Sequence, residues 1–280
     1  MLATANGVRR ALSGTVLDSA SITSGPGDLL LVEGLTGDVL TSWRAARAAV
    51  PQTGRWPVAV WDPGSDDGTE HRAPTRATVT QLATAAPRID PWARYRPFSD
   101  ETPIGADDLE VHFEAWFPDT DLEARAVRDL APPTTDDALH TWIYRQMQSD
   151  PAVRATAEAH AAPLIGTRCW FEPGAFAVAL LPTAHGWLAP AWIDFFDESD
   201  HQEELCAALW RWHQRWGAEL VAHWGTMMQF VVDRPPGALT EENWELTGQL
   251  LGVGRYESAD RWLLAAAVAT SDAWFVHNRP

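Results

Sequence analysis

Residues 199–233 read SDHQEELCAALWRWHQRWGAELVAHWGTMMQFVVD, and this stretch decides the fold class. Leu205, Leu209, Trp212 and Trp216 stand at i, i+4, i+7 and i+11, one apolar stripe at helical period. Ser199 and Gln202 have the spacing of a capping box, and Gly217 is the residue type that ends a helix. The spacing predicts a helix from Ser199 to Gly217, with Glu204, Arg211, Gln214 and Arg215 turned mostly away from the stripe. Then the pattern changes. Residues 219–224 and 226–233 are short apolar runs on either side of Gly225, which reads as an antiparallel strand pair ended by Pro235-Pro236. A long amphipathic helix feeding a hairpin is an α+β pattern.

Working outward, the same reasoning predicts helices over 240–251 and 258–268 and a closing strand over 272–278. Strands are expected over 168–172 and 175–181, joined at Pro173-Gly174. Upstream, residues 29–33 and 57–61 read as buried strands around a helix that Thr36 caps and that carries Val39, Trp43, Ala46 and Val50 on one face. This strand–helix–strand unit makes its two strands parallel if they pair. Further helices are expected over 77–85, 107–117, 121–130, 135–147 and 152–161. The expected organisation is a mobile lead-in over 1–27, an N-terminal α/β domain over 28–165 and a C-terminal α+β domain over 166–280. The fold class is α+β, a mixed sheet with packed helices in two blocks.

Composition narrows the function classes. All 21 basic residues are Arg, so lysine nucleophiles and Schiff bases are excluded, and the Ala, Gly, Pro and Arg usage points to a GC-rich bacterial genome. The net charge of −17 disfavours nucleic acid and anionic membranes as partners and suits a basic protein. The bland account of that charge is solubility. No apolar run is long enough to span a membrane, and the two cysteines, Cys169 and Cys206, have no metal or redox spacing. A cytoplasmic location is therefore expected. Sixteen tryptophans run from Trp43 to Trp274; most are expected in the core, with any exposed ones free to anchor a partner.

The segment Leu209–Val221, with 226–232 and Arg234-Pro235-Pro236 after it, resembles the C-terminal domain of a bacterial family of unknown function. Trp274-Phe275 is similar to that family's closing strand, and residues 51–58, PQTGRWPV, resemble a segment often found before the domain. The resemblance implies a fold unit and no reaction. Where such proteins carry a Cys-Pro-Asp stretch, residues 251–257 here read LGVGRYE.

No nucleotide-binding, serine-hydrolase or zincin motif occurs, and no cofactor is expected. Two candidate sites overlap between residues 185 and 201. Trp187, Trp192, Phe195 and Phe196, rimmed by Asp194, Asp197 and Glu198, form either core or a binding face for a basic protein. Asp194, Asp197, Asp200 and His201 form either a divalent-metal set or the acidic start of a helix. His185, His213 and His223 read as turn or packing residues. Two functions follow: a non-enzymatic binding module, of an immunity or regulatory type, that masks a basic partner; or a metal-dependent or carboxylate-based hydrolase centred on 194–201.

Overall fold

A computed structural model describes residues 2–62, 71–96, 103–195, 200–255 and 260–278. The chain forms two compact units, each discontinuous in sequence: Met1–Arg94, Trp170–Asp233 and Phe275–Asn278 make the first, and Tyr95–Cys169 with Arg234–Trp274 the second. The fold is α+β. The division thus departs from the linear one at residue 165, because the chain enters the second unit, returns, and enters it again.

The first unit begins with helix α1 (Ala5–Leu12), strand β1 (Ser21–Ser24) and strand β2 (Leu30–Leu35). The expected mobile lead-in is therefore corrected: residues 5–24 are folded. Val8 and Leu12 are buried, and β1 pairs antiparallel with β2. The reason lies in Arg55, a buried guanidinium whose Nε donates to the Ala3 carbonyl at 2.9 Å and whose Nη1 donates to the Asp28 carbonyl at 2.6 Å. Both ends of the segment are thereby tied to one side chain far along the chain, a contact no local pattern announces.

Helix α2 (Val39–Ala48) follows, capped by Asp38 rather than Thr36, then α3 (Val50–Thr53), β3 (Trp56–Trp61) and α4 (Arg76–Ala85). Beyond the second unit's first segment, the chain adds β4 (Phe176–Leu181), α9 (Gln202–Trp216), β5 (Glu219–His223), β6 (Met227–Val231) and, from Phe275 onward, most of β7 (Ala273–His277). The seven strands form one sheet in the order β1-β2-β4-β3-β5-β6-β7. β2 and β3 do not pair with each other: β4 lies between them, antiparallel to both, and β3 pairs parallel with β5. β4 is buried at every position, so it reads as a continuous apolar run instead of an alternating one. The expected strand over 168–172 is a 3₁₀ turn over Gly166–Cys169, and no hairpin forms at Pro173-Gly174.

The second unit is helical: α5 (Ala106–Trp116), α6 (Leu122–Leu130), α7 (Asp136–Ser149), α8 (Pro151–Ala161), α10 (Glu241–Gly254) and α11 (Arg261–Val268). Leu109, Phe113, Ile143, Met147 and Trp262 centre its core. A polar bridge crosses that core. The Tyr144 hydroxyl lies 2.8 Å from both the Thr240 carbonyl and Asn243 Oδ1, and Asn243 Nδ2 donates to the Ala265 carbonyl at 3.1 Å. Gly252 is required here for space: a Cβ on it would stand 2.4 Å from the Tyr95 carbonyl oxygen.

None of the sixteen tryptophans is exposed. Several of their N–H groups are spent internally: Trp43 donates to Pro57 O at 2.9 Å, Trp224 to Gln229 Oε1 at 2.8 Å and Trp262 to Asp260 Oδ1 at 3.2 Å. The tryptophan surplus is core material, and the expectation of exposed anchors is corrected.

Candidate functional site

The segment from His185 to His201 lies in the first unit. It opens with a 3₁₀ turn, Gly186–Ala191, seated so closely that a Cβ on Gly186 would stand 2.5 Å from the Trp56 ring. Trp187 is half-buried and stacks on exposed His185 at 5.5 Å. From there the chain turns inward. Trp192 and Phe195 are each 2% exposed, so these two are core and not part of an exposed face. Trp192 Nε1 donates to Gly27 O at 3.4 Å, and its carbonyl accepts from Arg72 N at 2.7 Å. Asp194 is partly exposed and its carboxylate is held by Arg72 at 2.5 Å. Phe196, Asp197 and Glu198 lie outside the described residues.

Asp200 is exposed, and His201 is the half-buried N-cap of α9, which starts at Gln202 rather than at Ser199. Of the expected metal set, Asp194 is thus engaged by a guanidinium and Asp197 lies outside the described residues. Among the described residues, no three of His, Cys, Asp and Glu are placed to share a metal ion.

Two histidines meet this segment. His71 forms an antiparallel bridge with Ile193, and the His223 ring packs edge-on to Phe195 with centroids 5.7 Å apart. His223 is 2% exposed at the end of β5, and neither of its ring nitrogens has a hydrogen-bond partner; His71 Nδ1 is likewise buried and unpartnered. Burial pushes the pKa of His71 down. It pushes His223 down to about 3, with the nearby charge of His71 acting in the same direction. Both are neutral imidazoles at neutral pH.

In the second unit, His140 is buried between two carboxylates, with Nδ1 3.4 Å from Asp136 and Nε2 3.3 Å from Asp260. The His112 ring lies 6.4 Å from it, and burial lowers the His112 pKa. Here the carboxylates satisfy the imidazole, so the group ties α7 to the start of α11.

The surface of α5 is different in kind. Leu109 and Phe113 are buried, whereas Asp107, Glu110, Val111 and Glu114 are exposed at i, i+3, i+4 and i+7, one outward stripe. Val111 is 68% exposed, the largest value among the large apolar side chains. Asp119 and Glu123 continue the acidic surface, and no Arg occurs between Arg96 and Arg125. Asp108 caps the helix by accepting from Gly105 N at 2.8 Å, and Asp121 meets Arg125 at 3.5 Å. Asp107, Glu110, Glu114, Asp119 and Glu123 make no ion pair with any described residue. The sequence reading expected a helix over 107–117 and gave its polar face no role. The missed signal was the 28-residue interval without a cation, together with a valine in the middle of the carboxylates.

No curated protein and no solved structure matches the chain. Over residues 177–277, from β4 to β7, the chain matches the family described as Domain of unknown function (DUF4253), an uncharacterised domain family of the kind that the tryptophan helix and the Arg-Pro-Pro turn led us to expect.

Proposed function

We propose that the protein is a binding module that seats a basic protein partner on the outward stripe of α5 in its second unit, in the manner of an immunity or regulatory protein that masks its target. The observation that carries this reading is the stripe Asp107, Glu110, Val111 and Glu114: three exposed, unpaired carboxylates around one exposed apolar side chain. Glu110 and Glu114 repel each other at i, i+4, which costs a helix about 0.2–0.5 kcal/mol. Glu114 also sits near the C-terminal end, where the helix dipole favours a cation, and the last turn holds none. The arrangement disfavours the isolated helix and favours one that meets Arg or Lys. Steering by the −17 net charge speeds such an encounter, and a central apolar contact with a charged rim is the anatomy of a protein interface.

The test is capture of the partner on the tagged full-length chain at low and raised salt, run beside Glu110→Arg/Glu114→Arg. A basic protein held by the wild type, released by salt and lost in the variant supports the proposal. A partner held equally by both chains sinks it.

A further inference from the structure

We propose that a cavity beside the β1 edge of the sheet, in the first unit, binds a small aliphatic amine as its cation between Glu33 and Asp38. The cavity holds about 400 Å3, within the size range of small-molecule sites, and three segments build it: residues 16–21, the end of β2 with residue 36, and the start of α2. The register of β2 against β4 slips between Val32 and Leu35, and Gly34 takes φ +73° there. A bulge of this kind bends its strand and is common at sheet edges and beside sites. On the helix wall, Ser42 lines the cavity and is only 6% exposed. Its N–H is spent on the Asp38 carbonyl at 3.2 Å, so the hydroxyl is the polar group it brings to the cavity. That hydroxyl bonds no described residue, and a buried polar group without a protein partner is satisfied by what enters the space it faces.

The lining fixes the sign of the ligand. It holds two carboxylates and several hydroxyls and, among the described residues, no Arg or His. Thr23 Oγ1 donates to Glu33 Oε1 at 2.8 Å, and Thr41 N donates to Asp38 Oδ1 at 2.8 Å. The second oxygen of each carboxylate bonds no described residue, and neither carboxylate pairs with a described Arg. Asp38 already caps α2, so the helix start does not call for an anion. An ammonium brings three donors and no acceptor, which matches the free carboxylate oxygens and the Ser42 hydroxyl. Val16, 62% exposed, and Leu35 give the aliphatic stem an apolar wall. This site is independent of the α5 stripe and of the acidic set at 194–201.

The experiment is a calorimetric titration of the full-length chain with putrescine, beside butanediol, which has the same length and no charge. It is run at about 0.15 M salt, where loose attraction to the acidic surface is screened. The expected result is one equivalent of bound putrescine and no binding of butanediol. Asp38→Asn removes the charge and keeps the cap, since Asn ranks with Asp at that position. Glu33→Gln removes the charge and keeps an acceptor for Thr23. Each weakens binding by more than about tenfold, the effect of losing one charge-assisted hydrogen bond, and Ser42→Ala weakens it by about threefold or more. Glu158→Gln, at an exposed carboxylate of α8 in the second unit, leaves it unchanged. Melting temperatures like that of the wild type exclude misfolding as the cause. No binding at millimolar putrescine, equal binding of butanediol, or equal binding by wild type, Asp38→Asn and Glu33→Gln overturns the proposal.

Discussion

At the residue scale, single side chains far from their partners in sequence decide what is ordered. Arg55 is the clearest case. Its guanidinium serves the Ala3, Asp28 and Leu180 carbonyls, and burial lowers its pKa although Asp28 opposes the shift. Arg55→Met leaves those acceptors unpaired at about 1–3 kcal/mol for each that stays buried. We expect a lower melting temperature and faster tryptic cleavage after Arg9 and Arg10; a chain cut no faster than wild type contradicts the role. His223 supplies a pH dependence. Its folded pKa, near 3, lies below the value of about 6.5 expected when unfolded, so the unfolded chain takes up a proton that the folded one refuses. Stability is therefore full above about pH 6.5 and falls as pH drops towards 3. His223→Gln should flatten the slope of unfolding free energy between pH 6 and pH 4 by up to about 1.4 kcal/mol per pH unit. An unchanged slope rejects the assignment.

At the scale of elements, period and punctuation made most helices and strands legible. The stripe through Leu205, Leu209, Trp212 and Trp216 and the stop at Gly217 are both present. What stayed hidden was set by tertiary pairing. Residues 1–27 carry too little apolar periodicity to announce a helix and an edge strand, and the residues that hold them are Arg55 and β2. β4 separates β2 from β3, which no local pattern shows, because a strand buried on both faces reads alike wherever it is inserted. At the candidate sites, Trp192 and Phe195 carried the right residue types for a face and are core, while the α5 stripe was visible as spacing and went unread. The stripe makes a prediction of its own. Glu114→Arg converts an i, i+4 repulsion into an attraction and places a cation in the last turn, so it should stabilise the chain by about 0.5 kcal/mol in urea unfolding. Destabilisation instead would mean that Glu114 has an internal role.

At the scale of the whole molecule, the two units divide the labour of sequence. The first holds the sheet, with the N–H groups of Trp43 and Trp224 satisfied internally. The second, all helical, carries the uncompensated carboxylates. The family match at 177–277 covers β4 to β7 and therefore segments of both units, whereas α5 and α6 lie outside it. A partner specificity carried by α5 thus belongs to this chain and not to the matched domain. Its association should weaken steeply with ionic strength, since exposed charges are screened over about 8 Å at physiological salt. The most direct measurement is the association rate of the captured basic partner with wild type and with Glu110→Arg/Glu114→Arg, from low to high salt. The account predicts a fast, salt-sensitive rate for the wild type and a slower, nearly salt-insensitive rate for the variant. Equal rates with equal salt dependence would contradict it.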